Sequence, residues 1–201
     1  MLKQNSGLKG IQAAVGSTLA KLPISANAWT GLSLLAAIIG AGAIAYGTLY
    51  LGLALFALAA LFDAVDGAVA RAKNEVTDLG GFIDGVVDRF VEFFFLFSFM
   101  FYPLPTIYLD PRVWIALLIF VGTCMPAFIR AYADHKGVLS REKALALGGI
   151  FERSERLLVL LAGLAIGIAF SMEFFVYAII LASLLSMITI MQRFLAVLAS
   201  K

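Results

Sequence analysis

The chain has 201 residues, 62% hydrophobic and only 14% charged, with a mean hydropathy of +0.99. Soluble domains carry roughly 25% charged residues, so the composition excludes an ordinary soluble enzyme and indicates an all-α polytopic membrane protein. The formal net charge is only +2 and no nucleic-acid module is visible, so no nucleic-acid partner is expected. The single cysteine, Cys124, excludes an internal disulfide; inside an apolar run it reads as a small buried hydrophobe.

Residues 1–22 are polar and Gly-rich, unlike a cleavable signal peptide. Spaced apolar positions (Leu2, Leu8, Ile11, Val15, Leu19) with Lys3, Lys9 and Lys21 predict an amphipathic helix on the membrane surface. Pro23 ends it, and residues 23–201 form the membrane domain. Six spans are predicted, near 24–45, 49–72, 77–101, 112–134, 152–170 and 173–197, each close to the roughly 20 residues a bilayer requires. Tyr46-Gly47-Thr48 forms a tight turn between the first two, and Lys73–Val76 links the second and third. Pro103 and Pro105 follow the third, and a polar segment from His135 to about Gly149 follows the fourth. Lone glycines in the spans permit close helix packing. With six spans, 14 of the 15 Lys/Arg fall on the side of the termini, and only Arg112 on the other. The positive-inside rule then makes both termini cytoplasmic in a plasma-membrane protein.

Asp63 to Asp88 is the stretch in which acids interrupt this apolar pattern. Ionisable groups at membrane depth are costly and tend to be functional. Asp63 and Asp66 are three apart and Asp84 and Asp88 four apart, so each pair shares a helix face. If the two helices face each other, four carboxylates converge. Their repulsion at low dielectric is relieved by hard divalent cations with oxygen ligands. Gly67 leaves room for a phosphate or base near the backbone, and Arg71, one turn on, can meet a phosphate in fork geometry. Thr77 also stands where an N-cap of the third span belongs, and Asn27 where one of the first belongs.

The spacing D-x2-D-G-x2-A-R-x8-G-x3-D-x3-D is met by Asp63, Asp66, Gly67, Ala70, Arg71, Gly80, Asp84 and Asp88. In this the chain closely resembles the CDP-alcohol phosphatidyltransferase family. The resemblance implies transfer of a phosphatidyl or archaetidyl group from a CDP-linked lipid to an acceptor hydroxyl, with release of CMP. It makes Asp63, Asp66, Asp84 and Asp88 ligands of two divalent cations, Mg²⁺ or Mn²⁺, and Asp88 also the base on the acceptor hydroxyl. It assigns Gly67, Ala70, Arg71, Thr77 and Gly80 to the CDP-lipid. Asn27-Ala28-Trp29-Thr30 resembles the family's Pro-Asn-x-x-Thr element, with Ala26 in place of Pro, which adds Asn27 and Thr30 to the nucleotide site.

Arg130, Arg153, Arg156 and Arg193 end apolar helices on the cytoplasmic side, and Arg153 and Arg156 share a face. They suit the phosphate of an anionic acceptor. The run G-G-I-F-E-R-S-E-R-L at 148–157 and Arg193 in M-Q-R-F resemble the phosphatidylinositol-phosphate synthase branch, so inositol phosphate is the expected acceptor. That branch usually has a second basic residue where this chain has Tyr132, which keeps glycerol 3-phosphate as the alternative. A cation-coupled transporter would not require the Gly67, Arg71 and Gly80 spacing, and a prenyl transferase would normally separate its acidic motifs more widely. The expected partners are a CDP-linked lipid, a small phosphorylated polyol, the bilayer and, compatibly, a second copy of the chain.

Overall fold

The computed structural model describes residue 14 and residues 16–200. Among the described residues the chain is all-helical, with no strand beyond an isolated bridge between Ile107 and Leu109. It divides into two compact units, Met1–Tyr102 and Pro103–Lys201.

The first unit is built from three long helices. Helix α1 (Ala26–Ala45) starts at Ser25, whose side chain accepts from the Ala28 N–H. The cap is therefore Ser25 and not Asn27, which lies inside the first turn. The chain leaves α1 through the predicted tight turn, where Gly47 takes a left-handed φ of 83°. Helix α2 (Leu49–Lys73) ends at Asn74 in the left-handed region, with Arg71 and Lys73 in its last turn complementing the helix dipole. Helix α3 (Asp78–Ser98) is capped by Thr77, which accepts from the Gly80 N–H. Small residues bring α1 and α2 together: an added Cβ at Gly40 would stand 3.1 Å from Phe56. Ser33 Oγ crosses between them to donate to the Ala59 carbonyl at 2.9 Å. Phe56 and Phe95 meet edge to face at 4.8 Å, joining α2 to α3. Of the amphipathic helix expected over 2–21, positions 2–13 and 15 lie outside the described residues, while 14 and 16–19 are helical. At Gly16 an added Cβ would stand 2.7 Å from the Ala68 carbonyl oxygen, so this segment lies directly on α2.

The second unit opens with α4 (Pro111–Leu118), capped by Asp110 and led by proline at its first position. It continues through a π-helical turn, Ile119–Cys124, into α5 (Met125–His135). The widened turn immediately precedes Pro126, whose ring would clash with the carbonyl four residues back in a regular helix. The polar segment after α5 contains a short helix that the sequence reading treated as loop, α6 (Arg141–Ala146), capped by Ser140. Its Ala144 packs with Ala133 and Leu139, backed by Leu147 and Val197. Helices α7 (Arg153–Ala169) and α8 (Met172–Leu198) pack through glycine: Gly163 lies on Ala178 and Gly167 on Phe175. Cys124 is exposed, which corrects the expectation of a buried thiol. In lipid, the outside of a helix suits a small apolar side chain as well as a core does.

Among the described residues, four helical stretches are long and apolar enough to cross a membrane: Ala26–Ala45, Leu49–Lys73, Pro111–His135 and Met172–Leu198. The other two predicted spans form helices, α3 and α7, of a different character. Helix α3 carries Asp78, Asp84, Asp88, Arg89 and Glu92, and α7 has only 17 residues and begins with three charges within four positions.

Candidate functional site

In the first unit, α2 and α3 bring three of the four predicted acids together. Asp63, Asp66 and Asp84 each offer an oxygen within 4.8 Å of the other two. Asp66 is the most enclosed, at 4% exposure. Thr30 of α1 donates its hydroxyl to Asp66 Oδ2 at 2.7 Å, fixing the carboxylate from a third helix. Three anionic oxygens at this separation, with no other donor type among them, suit a hard divalent cation. Asp88 stands one turn beyond Asp84 and is outside that group; Arg89 Nη1 approaches its Oδ2 at 3.3 Å while also donating to the Gly85 carbonyl at 2.9 Å.

The predicted nucleotide residues line the same end of this unit. An added Cβ at Gly67 would lie 3.4 Å from Arg71 Nη1, so the guanidinium reaches back over the glycine. A Cβ at Gly80 would lie 3.1 Å from Thr77 Oγ1 and 3.4 Å from Asn27 Oδ1. Gly80 thus admits Asn27 to the start of α3, where Thr77 is both cap and neighbour. Asn27, Arg71 and Thr77 are exposed, and Ala70 and Gly80 half-buried. The loop after α2 holds this arrangement. Lys73 Nζ donates to the Leu22 and Ile24 carbonyls at 3.0 and 2.7 Å, and Glu75 accepts from the Ala26 N–H at 3.4 Å. Neither contact can be read from the sequence, because the partners are backbone atoms some 50 positions away.

In the second unit the predicted arginines come from α5, α7 and α8. Arg193 is 2% exposed; its Nη2 meets Glu152 Oε2 at 2.6 Å and its Nη1 donates to the Pro126 carbonyl at 2.5 Å. Arg130 Nη2 donates to the Leu147 carbonyl at 3.0 Å. Arg153 and Arg156 open α7, and buried Arg156 lies on Gly122, where an added Cβ would stand 3.2 Å from its Cδ and Nε. Tyr132 takes no part in this. It stacks on Phe128 at 5.1 Å and on His135 at 6.3 Å, forming an exposed stripe along α5.

Residues 23–198 match the family model described as CDP-alcohol phosphatidyltransferase. The chain belongs to the CDP-alcohol phosphatidyltransferase family. It is 32% identical to an archaetidylinositol phosphate synthase of Aeropyrum pernix, over 91% of this chain and 88% of that one. It is 30% identical to an archaetidylinositol phosphate synthase of Pyrococcus horikoshii, over 89% and 86% of the two chains. The fold is shared with a Mycobacterium tuberculosis phosphatidylinositol phosphate synthase crystallised with CDP-DAG bound, at a TM-score of 0.74, 23% identity and 93% coverage of both chains. The same synthase crystallised with manganese and citrate gives a TM-score of 0.75, again at 23% identity, covering 92% of this chain and 88% of that one. As a member of the CDP-alcohol phosphatidyltransferases, the chain is an enzyme of phospholipid synthesis, and its acidic cluster is suited to divalent cations.

Proposed function

We propose that this enzyme transfers a phosphatidyl or archaetidyl group from a CDP-linked lipid to the hydroxyl of inositol phosphate, releasing CMP. The observation that carries the reaction is the convergence of Asp63, Asp66 and Asp84 from two helices, with Thr30 fastened to Asp66. The acceptor reading is supported by the archaetidylinositol phosphate synthases of Aeropyrum pernix and Pyrococcus horikoshii, 32% and 30% identical to this chain. Tyr132 is no obstacle to that acceptor, since it stacks on Phe128 and His135 along a stripe separate from the contact Arg130 makes with Leu147.

Asp63, Asp66, Asp84 and Asp88 would hold two divalent cations, Mg²⁺ or Mn²⁺, which would supply charge neutralisation of the diphosphate and of the entering and leaving oxygens. Thr30 keeps the Asp66 carboxylate in one orientation. Gly67 and Gly80 leave backbone open to the nucleotide, and Asn27, Ala70 and Thr77 line its approach. Arg71 lies over Gly67 to meet a phosphate oxygen. Asp88 accepts the proton from the acceptor hydroxyl as the new P–O bond forms, and the CMP phosphate departs with the electron pair of the broken bond. Arg130, Arg153, Arg156 and Arg193 hold the acceptor phosphate, helped by the positive end of α7.

The membrane arrangement in this reading has six spans. Helices α3 and α7 cross with the four more apolar stretches, with their charged ends in the cytoplasmic interface. The membrane domain in this reading begins at residue 23. The distribution of Lys and Arg supports cytoplasmic termini and a cytoplasmic site in the plasma membrane, and a homodimer is the proposed assembly.

The test is CMP release by purified protein. CDP-diacylglycerol or CDP-archaeol is supplied with inositol phosphate, glycerol 3-phosphate, free inositol or serine. CMP formed only with inositol phosphate is the expected result. CMP formed only with glycerol 3-phosphate would replace the acceptor, and turnover of free inositol or serine alone would remove the phosphate-binding role of the arginines.

A further inference from the structure

The segment Leu147–Glu152, between α6 and α7, has no regular secondary structure, yet side chains grip it at nearly every residue. Arg130 donates to the Leu147 carbonyl, Gln192 Oε1 accepts from the Ile150 N–H at 3.0 Å, and Thr189 Oγ1 accepts from the Phe151 N–H at 3.1 Å. Thr189, Gln192 and Arg193 fall on one stripe of α8 at helical spacing. Gly149 lies flush on that stripe, where a methyl group would overlap Thr189. At the end of the segment Glu152 uses both carboxylate oxygens. Oε1 accepts from the Gly149 N–H at 2.6 Å, and Oε2 accepts from Arg193 Nη2 at 2.6 Å.

The Arg193 side chain is almost wholly enclosed, and its fork is divided unevenly. Nη1 and Nη2 are tied to Pro126 and Glu152, while the buried Nε–H has no hydrogen-bond partner. A guanidinium carries five N–H donors, so two anchored nitrogens leave donors for a further anion. An enclosed arginine with a donor unmatched is costly by itself and favourable with an anion beside it.

We infer that Glu152 is a positioning residue of the acceptor site. It locks the backbone at Gly149 and the Arg193 guanidinium to each other, so that Arg193 and the two arginines opening α7 are presented in one fixed arrangement to an acceptor phosphate. Glu152 touches no substrate and acts through Arg193. Its carboxylate also holds the buried cation balanced before the acceptor arrives, which spares the site a bare charge in the interior. The inference rests on the proposed acceptor reading and deepens it.

The test measures KM for inositol phosphate, KM for CDP-diacylglycerol and kcat separately, together with Tm in detergent. The variants are Glu152→Gln, Arg193→Ala, the double variant and Arg153→Ala. Glu152→Gln keeps the size and one acceptor oxygen, so folding is preserved. Expected is a rise of about 10- to 100-fold in KM for inositol phosphate, the range over which outer partners of a charged ligand act, with KM for CDP-diacylglycerol within about twofold. Since Glu152 works through Arg193, adding Glu152→Gln to Arg193→Ala should change that KM little further. Independent, multiplying effects in the double variant would overturn the inference. So would an unchanged acceptor KM in Glu152→Gln while Arg193→Ala raises it, or a loss of Tm with both KM values rising together. If Arg153→Ala and Arg193→Ala both leave the acceptor KM unchanged, the acceptor reading itself fails, and the role of Glu152 falls with it.

Discussion

Replacing Thr30 with valine removes a single hydroxyl and keeps the side-chain volume, so it isolates one bond at the acidic cluster. That bond is short, 2.7 Å, and both partners are buried, Asp66 at 4% exposure. A hydrogen bond to a charged group contributes about 1.5–3 kcal/mol, and little solvent reaches this pair to replace it. At tenfold per about 1.4 kcal/mol, the expected loss is on the order of 10- to 100-fold. It should appear as a higher Mg²⁺ concentration for half-maximal CMP release, because Thr30 orients a proposed ligand and does not itself ligate. A Mn²⁺ titration followed by electron paramagnetic resonance, without any substrate, reads the same loss independently of turnover. Thr30→Ser restores the donor and should recover most of it. Unchanged metal affinity in Thr30→Val with a raised KM for the CDP-lipid would refute this reasoning and assign Thr30 to the nucleotide directly.

Asp66→Ala or Asp84→Ala should abolish CMP release while the protein retains its Tm, and excess chelator should do the same to the unaltered enzyme; full activity in chelator would remove the cations from the mechanism. Asp88→Asn should lower kcat by about two orders of magnitude or more, the usual contribution of a general base, with CDP-lipid binding weakened much less; Mn²⁺ stoichiometry measured alongside separates loss of the base from loss of a ligand. Topology is checked by maleimide labelling of Ser200→Cys and Tyr108→Cys in a Cys124→Ser background, required because Cys124 is exposed; labelling of both positions from one side of the membrane would contradict six spans.

The helices were legible because their signals are local. Apolar runs, Gly47 and Thr77 act within a few residues of themselves, and α1, α2 and α8 fall within two residues of their expected ends. The acidic cluster was legible for a related reason. Helical spacing puts Asp63 and Asp66 on one face and Asp84 and Asp88 on another, and a short link between α2 and α3 makes convergence the natural outcome. Thr30 carried a sequence signal too, through a motif that points to the nucleotide; what the motif does not announce is that its hydroxyl engages Asp66. The short α6 was missed because a six-residue helix is below the length at which periodicity can be read.

Several cations have contacts that the sequence does not announce: each donates to a backbone carbonyl of a distant segment. Lys73 holds the Leu22 and Ile24 carbonyls, Arg130 holds Leu147, and Arg193 holds Pro126. A carbonyl left by a helix end or loop near the membrane needs a donor, and any long cation within reach will serve. Nothing in the sequence marks which carbonyl that will be. Each of these side chains therefore reads as positive-inside charge or as a phosphate ligand until the fold is known. The same residue can be both: Arg193 spends two nitrogens on the scaffold and retains a buried donor besides. Charge counts in a chain like this one thus overstate how much of the positive charge is available to substrate, and the part spent on carbonyls is what sets the geometry of the remainder.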